Sequence, residues 1–335
     1  MIDRFLLFLD PPDHTRIRSI LQKSFTRDAV EALRPRIIDI AHTLLDAVIP
    51  EGKLDVIADV GYPLPLLVIA DLLGFPPEDR LALRELSAAM SRGIDMHTTP
   101  DEVSRADRAA RDIAERIRVL VAERRDRPRA DLLSVMVQAR DGEQGLDEDE
   151  LVSNAAFLLV AGHETTAHLI GNGVLALLEH PDQLDLLSRE GSRLDTAVEE
   201  LLRYDSPVQV ARRWPTEDVV IGGDLMPAGE PVCALLGAAN RDPEAFSDPE
   251  RLNLRRPARQ HVAFGSGLHF CLGAPLARLE ATIVFELLTR RLRNLAPTAE
   301  PLQRIPYVGL RGLESLPLTF EADVRDGRRR PSLTT

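Results

Sequence analysis

The chain has 335 residues, of which 44% are hydrophobic and 28% charged, with a formal net charge of −12. This is ordinary globular composition and excludes a disordered or fibrous chain, while the negative charge argues against a general binder of nucleic acid or anionic membrane. Two cysteines, Cys233 and Cys271, cannot build a disulfide framework, so a reducing, cytoplasmic setting is expected.

Residues 1–10 carry an apolar run of only five before Pro11 and Pro12, too short for a signal peptide, and no later run is read as a membrane span. Helices are expected over 11–25, 28–48, 64–73 and 79–92. Thr99, Pro100, Asp101 and Glu102 then supply an N-cap, a first-position proline and early acidic residues. Val103, Ala106, Ala110, Ile113, Ile117 and Leu120 recur at spacings of three and four, the pattern of an amphipathic surface helix. Asp147 and Glu150 open a helix expected to run unbroken to about Glu179, where His180 and Pro181 end it. It is apolar on nearly every side, which places it at the centre of a large protein.

Further helices are expected over 182–190, 192–204 and 274–292. Strands are fewer and late, at 208–214, 219–221, 232–239 and 316–320, and 240–262 reads as an ordered meander rich in Pro, Asp and Arg. The fold class is mainly α with small β-sheets (α+β). With no linker or repeat, the chain reads as a single domain over 1–324 with a disordered tail at 325–335. Lys23 and Lys53 are its only lysines, a coding bias of bacterial type without functional meaning.

The densest chemistry lies in residues 264–273, Phe264-Gly265-Ser266-Gly267-Leu268-His269-Phe270-Cys271-Leu272-Gly273, before a helix containing Pro275. A lone cysteine is ordinarily a small buried hydrophobe. Here three glycines let the backbone approach something flat and bulky, and a helix N-terminus just beyond favours a thiolate. With no cysteine partner nearby, a structural zinc or an all-cysteine cluster is excluded.

A second feature interrupts the central helix: Ala161, Gly162, His163, Glu164, Thr165, Thr166, Ala167, His168. The bland reading is a set of bonded core groups; the sharper one is a reaction chamber. A zinc-protease reading of the His-Glu pair fails, because the second histidine must stand four residues on, where this chain has Ala167. Glu200 and Arg203 share one helix face, as do His14 and Arg18, and either pair taken alone is most often a weak surface interaction.

Together these segments resemble the cytochrome P450 family of haem-thiolate monooxygenases, closest to its soluble bacterial members. The signatures occur in the family's order: His14 to Arg18, Ala161 to Thr165, Glu200 to Arg203, then Phe264 to Gly273. The resemblance spans essentially the whole chain and implies the cytochrome P450 fold with haem b (iron protoporphyrin IX) and O2 as cosubstrate. It implies Cys271 as the axial thiolate. Gly265, Gly267 and Gly273 would allow close packing against the porphyrin, with Phe264 shielding that face. His14, Arg18, Arg213 and His269 look like partners of the haem propionates, Arg213 being preferred to Arg212 on family spacing.

On the other face, Ala161 and Gly162 would leave room for dioxygen and substrate, while Glu164 and Thr165 would manage protons. Glu200, Arg203 and Arg251 resemble the family's structural charge cluster, with Leu252 standing where an aromatic is usual. Substrate-facing stretches are expected at 81–97, 156–161 and 208–212.

By the same resemblance the chain opens at the family's third long helix, N-terminally truncated by several dozen residues, so the strands near Val208 and Val232 are expected to lack partners. The implied activity is hydroxylation or epoxidation of a small hydrophobic substrate, with electrons from a ferredoxin and its reductase. The alternative is a non-catalytic haem-binding remnant.

Overall fold

The computed structural model describes residues 1–95, 97–139, 145–190, 194–257 and 261–323. The proposed tail at 325–335 lies outside the described residues.

The helices follow the chain in order. They are α1 (Asp13–Leu21), α2 (Arg27–Glu31), α3 (Arg34–Val48), α4 (Pro63–Leu73), α5 (Arg80–Ile94), α6 (Pro100–Asp126), α7 (Leu132–Gln138), α8 (Glu148–Ala161), α9 (Glu164–Glu179), α10 (Pro181–Arg189), α11 (Leu194–Tyr204), α12 (Leu236–Ala239) and α13 (Ala274–Arg291). The strands are β1 (Lys53–Asp55), β2 (Val210–Arg213), β3 (Val219–Ile221), β4 (Asp224–Met226), β5 (Val232–Leu235), β6 (Leu292–Pro297) and β7 (Pro317–Ala322).

Helix α6 starts as its sequence dictates. Thr99 accepts from the Glu102 amide while the Glu102 carboxylate accepts from the Thr99 amide, a reciprocal capping box. Asp147 and Glu150 repeat that arrangement at α8. The expected single central helix is broken, however: α8 ends at Ala161 and α9 begins at Glu164. Gly162 sits where a Cβ would come within 2.8 Å of the Leu158 carbonyl and 2.9 Å of Ile69, so the junction admits no side chain.

Helix α9 is the axis of the molecule, buried from Thr166 to Leu177 and packed by α4, α10, α11 and α13. Its approach to α13 is close because Gly173 faces Phe285, where a Cβ would meet the ring at 2.5 Å. Val56–Leu73, a wide helical turn followed by α4, is by length and apolar composition able to cross a membrane, contrary to the sequence reading. Most of it is buried inside the protein.

Three small antiparallel sheets lie around this helical body, ordered β1-β7-β6, β2-β5 and β3-β4. The expectation that the strands near Val208 and Val232 lack partners is corrected: β2 and β5 pair with each other, Val210 opposite Leu235 and Arg213 opposite Val232. The β3-β4 hairpin turns on Gly222 and Gly223, both at positive φ, the backbone that a two-residue hairpin loop requires.

Candidate active site

The loop before α13 is built by its glycines. Gly265 (φ 71°) and Gly267 (φ 70°) hold left-handed conformations, folding the loop so that the Cys271 amide donates to the Phe264 carbonyl at 2.9 Å. Gly273 needs no such φ, and a Cβ there or at Gly267 would meet no other atom within 4 Å.

Burial pushes the Cys271 thiol up, against the pull of the Gly273 and Ala274 amides and the charges of Arg18 and Arg278. The helix N-terminus therefore does not by itself give the thiolate that the sequence suggested, because desolvation outweighs it. Phe264 packs below, with the Arg278 guanidinium 4.5 Å from its ring centre. Arg278 is held in turn by Glu199 at 2.6 Å, and Arg278 and His261 lower the Glu199 carboxyl to about 2.

Four nitrogen-bearing side chains converge beside this loop. His14 is 1% exposed, its ring 4.3 Å from that of His269, and neither ring nitrogen of His14 has a hydrogen-bond partner among the described residues. Arg18, one turn on, donates to the Phe270 carbonyl at 2.7 Å and so ties α1 to the cysteine loop. Arg213 projects from the exposed end of β2, and its charge, with those of His14 and Arg18, reaches His269.

At the α8–α9 junction, Ala161 is exposed and Thr165 half-buried although they stand on the central helices, so this stretch borders an accessible face. The Thr165 hydroxyl donates to the Ala161 carbonyl at 3.3 Å. Glu164 turns the other way and is 1% exposed, accepting from the Tyr62 hydroxyl at 3.1 Å. Burial raises its pKa to about 7, with the Ser91 and Tyr62 hydroxyls opposing the rise. Of the expected substrate-facing residues, Ala156 is instead fully buried in the core and Leu81 is exposed at the start of α5.

A family model described as Cytochrome P450 matches residues 95–308, well over half of the chain. The cytochrome P450 monooxygenase PikC of Streptomyces venezuelae is 42% identical, the alignment covering 97% of this chain and 78% of PikC. The 6-deoxyerythronolide B hydroxylase of Saccharopolyspora erythraea is 40% identical over 93% of this chain and 77% of its own length. Among solved structures, P450BioI in complex with a hexadec-9Z-enoic acid-ligated acyl carrier protein superposes with a TM-score of 0.91. The two share 40% identity over 95% of this chain and 82% of that one. The chain is a cytochrome P450.

The residues of this P450 fit the haem that its family implies. Two orphaned ring nitrogens of a buried histidine, beside two arginines and a second histidine, form a donor set suited to paired carboxylates. Gly267 and Gly273, on either side of Cys271 in the chain, leave open space where a side chain would stand.

The charge cluster differs in one member from the sequence reading. Arg203 and Glu200 form a buried bidentate pair at 2.8 and 2.9 Å. The remaining Arg203 donors reach the carbonyls of Asn240, Pro249 and Arg251. The second cation on Glu200, and the third member of the cluster, is Arg256 at 3.0 Å, not Arg251, which is exposed and contributes its carbonyl. The meander folds back by a tight turn at Asp248–Arg251, which leaves the Arg251 side chain outside and brings Arg256 in.

The buried Asn172 and Glu280 and the half-buried Tyr62 of this P450 were not singled out in the sequence. Glu280, on α13, is completely enclosed, and burial holds its carboxyl well above the usual range, opposed only by the Thr166 hydroxyl. A glutamate in an otherwise apolar stretch of helix was the available signal.

Proposed function

We propose that this P450 monooxygenase inserts one oxygen atom of O2 into a small hydrophobic substrate, taking electrons from a ferredoxin and its reductase. Cys271 is the iron ligand in this reading, and His14, Arg18, Arg213 and His269 hold the two propionates. When bound, the haem supplies activation of dioxygen, which a thiolate ligand favours by pushing electron density towards O–O cleavage. Phe264 screens the sulfur from water, and the amides of Gly273 and Ala274 steady its negative charge.

Ala161 leaves space for substrate, and Thr165 presents its hydroxyl proton to the reacting oxygen. Glu164, protonated up to about pH 7, is the acid behind it. Glu200, Arg203 and Arg256 are structural. The chain over 1–324 acts as one haem domain in a cytoplasmic setting. P450BioI was solved with an acyl chain on a carrier protein and another relative is named for hydroxylating 6-deoxyerythronolide B. Both names support a largely hydrocarbon substrate here.

The observation that carries this reading is the orphaned His14 among Arg18, Arg213 and His269, beside Cys271. The purified chain, supplied with haem, reduced and exposed to carbon monoxide, is expected to give the absorption band of a thiolate-ligated haem, and Cys271→Ser to lose it. An unchanged band in that variant refutes Cys271 as the ligand.

A further inference from the structure

Glu164, His168 and Asn172 stand at positions i, i+4 and i+8 of α9 and so form one stripe, with ~6 Å between successive residues along the axis. Each is at most 1% exposed. Polar groups so deep are normally bonded. Yet Glu164 Oε2, both ring nitrogens of His168 and Asn172 Oδ1 have no hydrogen-bond partner among the described residues. Four orphaned polar atoms on one helix face are suited to buried water, which typically bonds two to four such groups.

The two ends of the stripe differ. At one end, Glu164 adjoins Thr165 and accepts from Tyr62, whose ring also stands edge-on to His168 at 6.3 Å. At the other, Asn172 Nδ2 donates to the carbonyls of Arg311 at 2.9 Å and Asp205 at 3.4 Å. Arg311 is exposed and pairs with Asp205 at 2.6 Å. Between them Gly312 lies directly on the His168 ring, where a Cβ would stand 2.1 Å from Nδ1. Gly312 is itself buried, next to the exposed Arg311.

We propose that Glu164, His168 and Asn172 form a proton path along α9 from the surface at Arg311 to Thr165, with Tyr62 as the residue that positions Glu164. It rests on the monooxygenase reading above, since that reaction consumes protons at Thr165. Asn172 orients a water. His168 takes a proton on one ring nitrogen as the other nitrogen releases one towards Glu164, which replaces the proton Glu164 gives to the Thr165 side. One proton enters for each delivered, and no side chain keeps a net charge.

The groups facing the stripe are Tyr62 with Arg84 over its ring, His163 on the same helix, Tyr307 near Glu164, and Asp205 with Arg311 at the mouth. Burial, and the nearby His163, lower His168 to about 4, so its ring is neutral at pH 7 and offers one donor and one acceptor.

Infrared spectroscopy of the haem-loaded chain tests this without turnover. The protonated carboxyl stretch of Glu164, assigned by its loss in Glu164→Gln, shifts on rapid mixing into D2O. In His168→Leu and in Asn172→Leu that exchange is expected to slow by about a hundredfold, the scale of a lost proton relay. His168→Gln, which keeps hydrogen bonding without a ring to pass protons through, should also slow it. Tyr62→Phe should move the band, since a hydrogen bond is lost, and leave the exchange rate unchanged.

Exchange at the wild-type rate in any properly folded variant of His168 or Asn172 overturns the path, and an unmoved band in Tyr62→Phe overturns the positioning role. The carbon monoxide spectrum of the same samples reports separately on the haem reading, so a failure of one is distinguishable from a failure of the other.

Discussion

In the proposed reading, Cys271 and Thr165 would act under different constraints. Cys271 is half-buried and burial pushes its thiol up, so in the proposed reading a bound metal ion would make the thiolate prevail. Thr165 is half-buried, its hydroxyl bonded only to the Ala161 carbonyl. Thr165→Ala should therefore keep the haem spectrum and substrate binding while product formation falls by up to about 100-fold. The electrons should appear as peroxide, and a peroxide assay run beside product analysis checks it; tight coupling in the variant would contradict the role.

Glu164 adds a pH signature to the same step. Its pKa is raised to about 7, so the acid form is present below that value and is lost as pH rises through it. Product yield per electron should decline across pH 7 in the wild type, and Glu164→Gln should abolish that inflection.

The elements owe their placement to a few positions where size decides. Gly173 lets Phe285 of α13 lie against α9, and the aromatic ring cannot retreat because it is 1% exposed. Gly173→Ala should lower stability by roughly 1–3 kcal/mol, the usual penalty of overpacking, measured by urea unfolding. Local signals of this kind were legible where neighbouring residues set them. The capping boxes at Thr99 and Asp147 fixed the starts of α6 and α8, and residues three and four apart fixed the buried face of α6 from Ala106 onward, whereas Val103 is exposed.

Features set by distant residues were not legible. That no side chain fits at the Gly162 break is set in part by Ile69, almost a hundred residues earlier. The β2-β5 pairing depends on register between segments about twenty residues apart. Arg256 displaced Arg251 because a motif conveys order along the chain, whereas the turn at Asp248 decides which side chain points inward. His168 was weighed only as a zinc ligand relative to His163, so its four-residue spacing from Glu164 went unused.

For the whole molecule, buried groups make folding depend on pH from both sides. His163 and His168 are lowered to about 4 by burial, so their neutral forms support the fold fully above 6.5 and that support is lost as pH falls towards 4. The effect is at most ~3 kcal/mol for each. Glu280 is raised well above 4.5, so its contribution is complete below 4.5 and is lost as pH rises through its folded value. Glu280→Gln keeps the shape and a hydrogen bond for Thr166 without an ionisable group. It should match the wild type at pH 5 and exceed it in urea midpoint at pH 9; equal midpoints at both would argue that Glu280 remains ionised.

The Arg203 guanidinium uses all five of its N–H groups on Glu200 and on three carbonyls between Asn240 and Arg251. It thereby clasps a loop of some fifty residues much as a covalent crosslink would. A protease that nicks the exposed segment around Glu244 would leave both fragments threaded together, intact by size under native conditions and divided only once denatured.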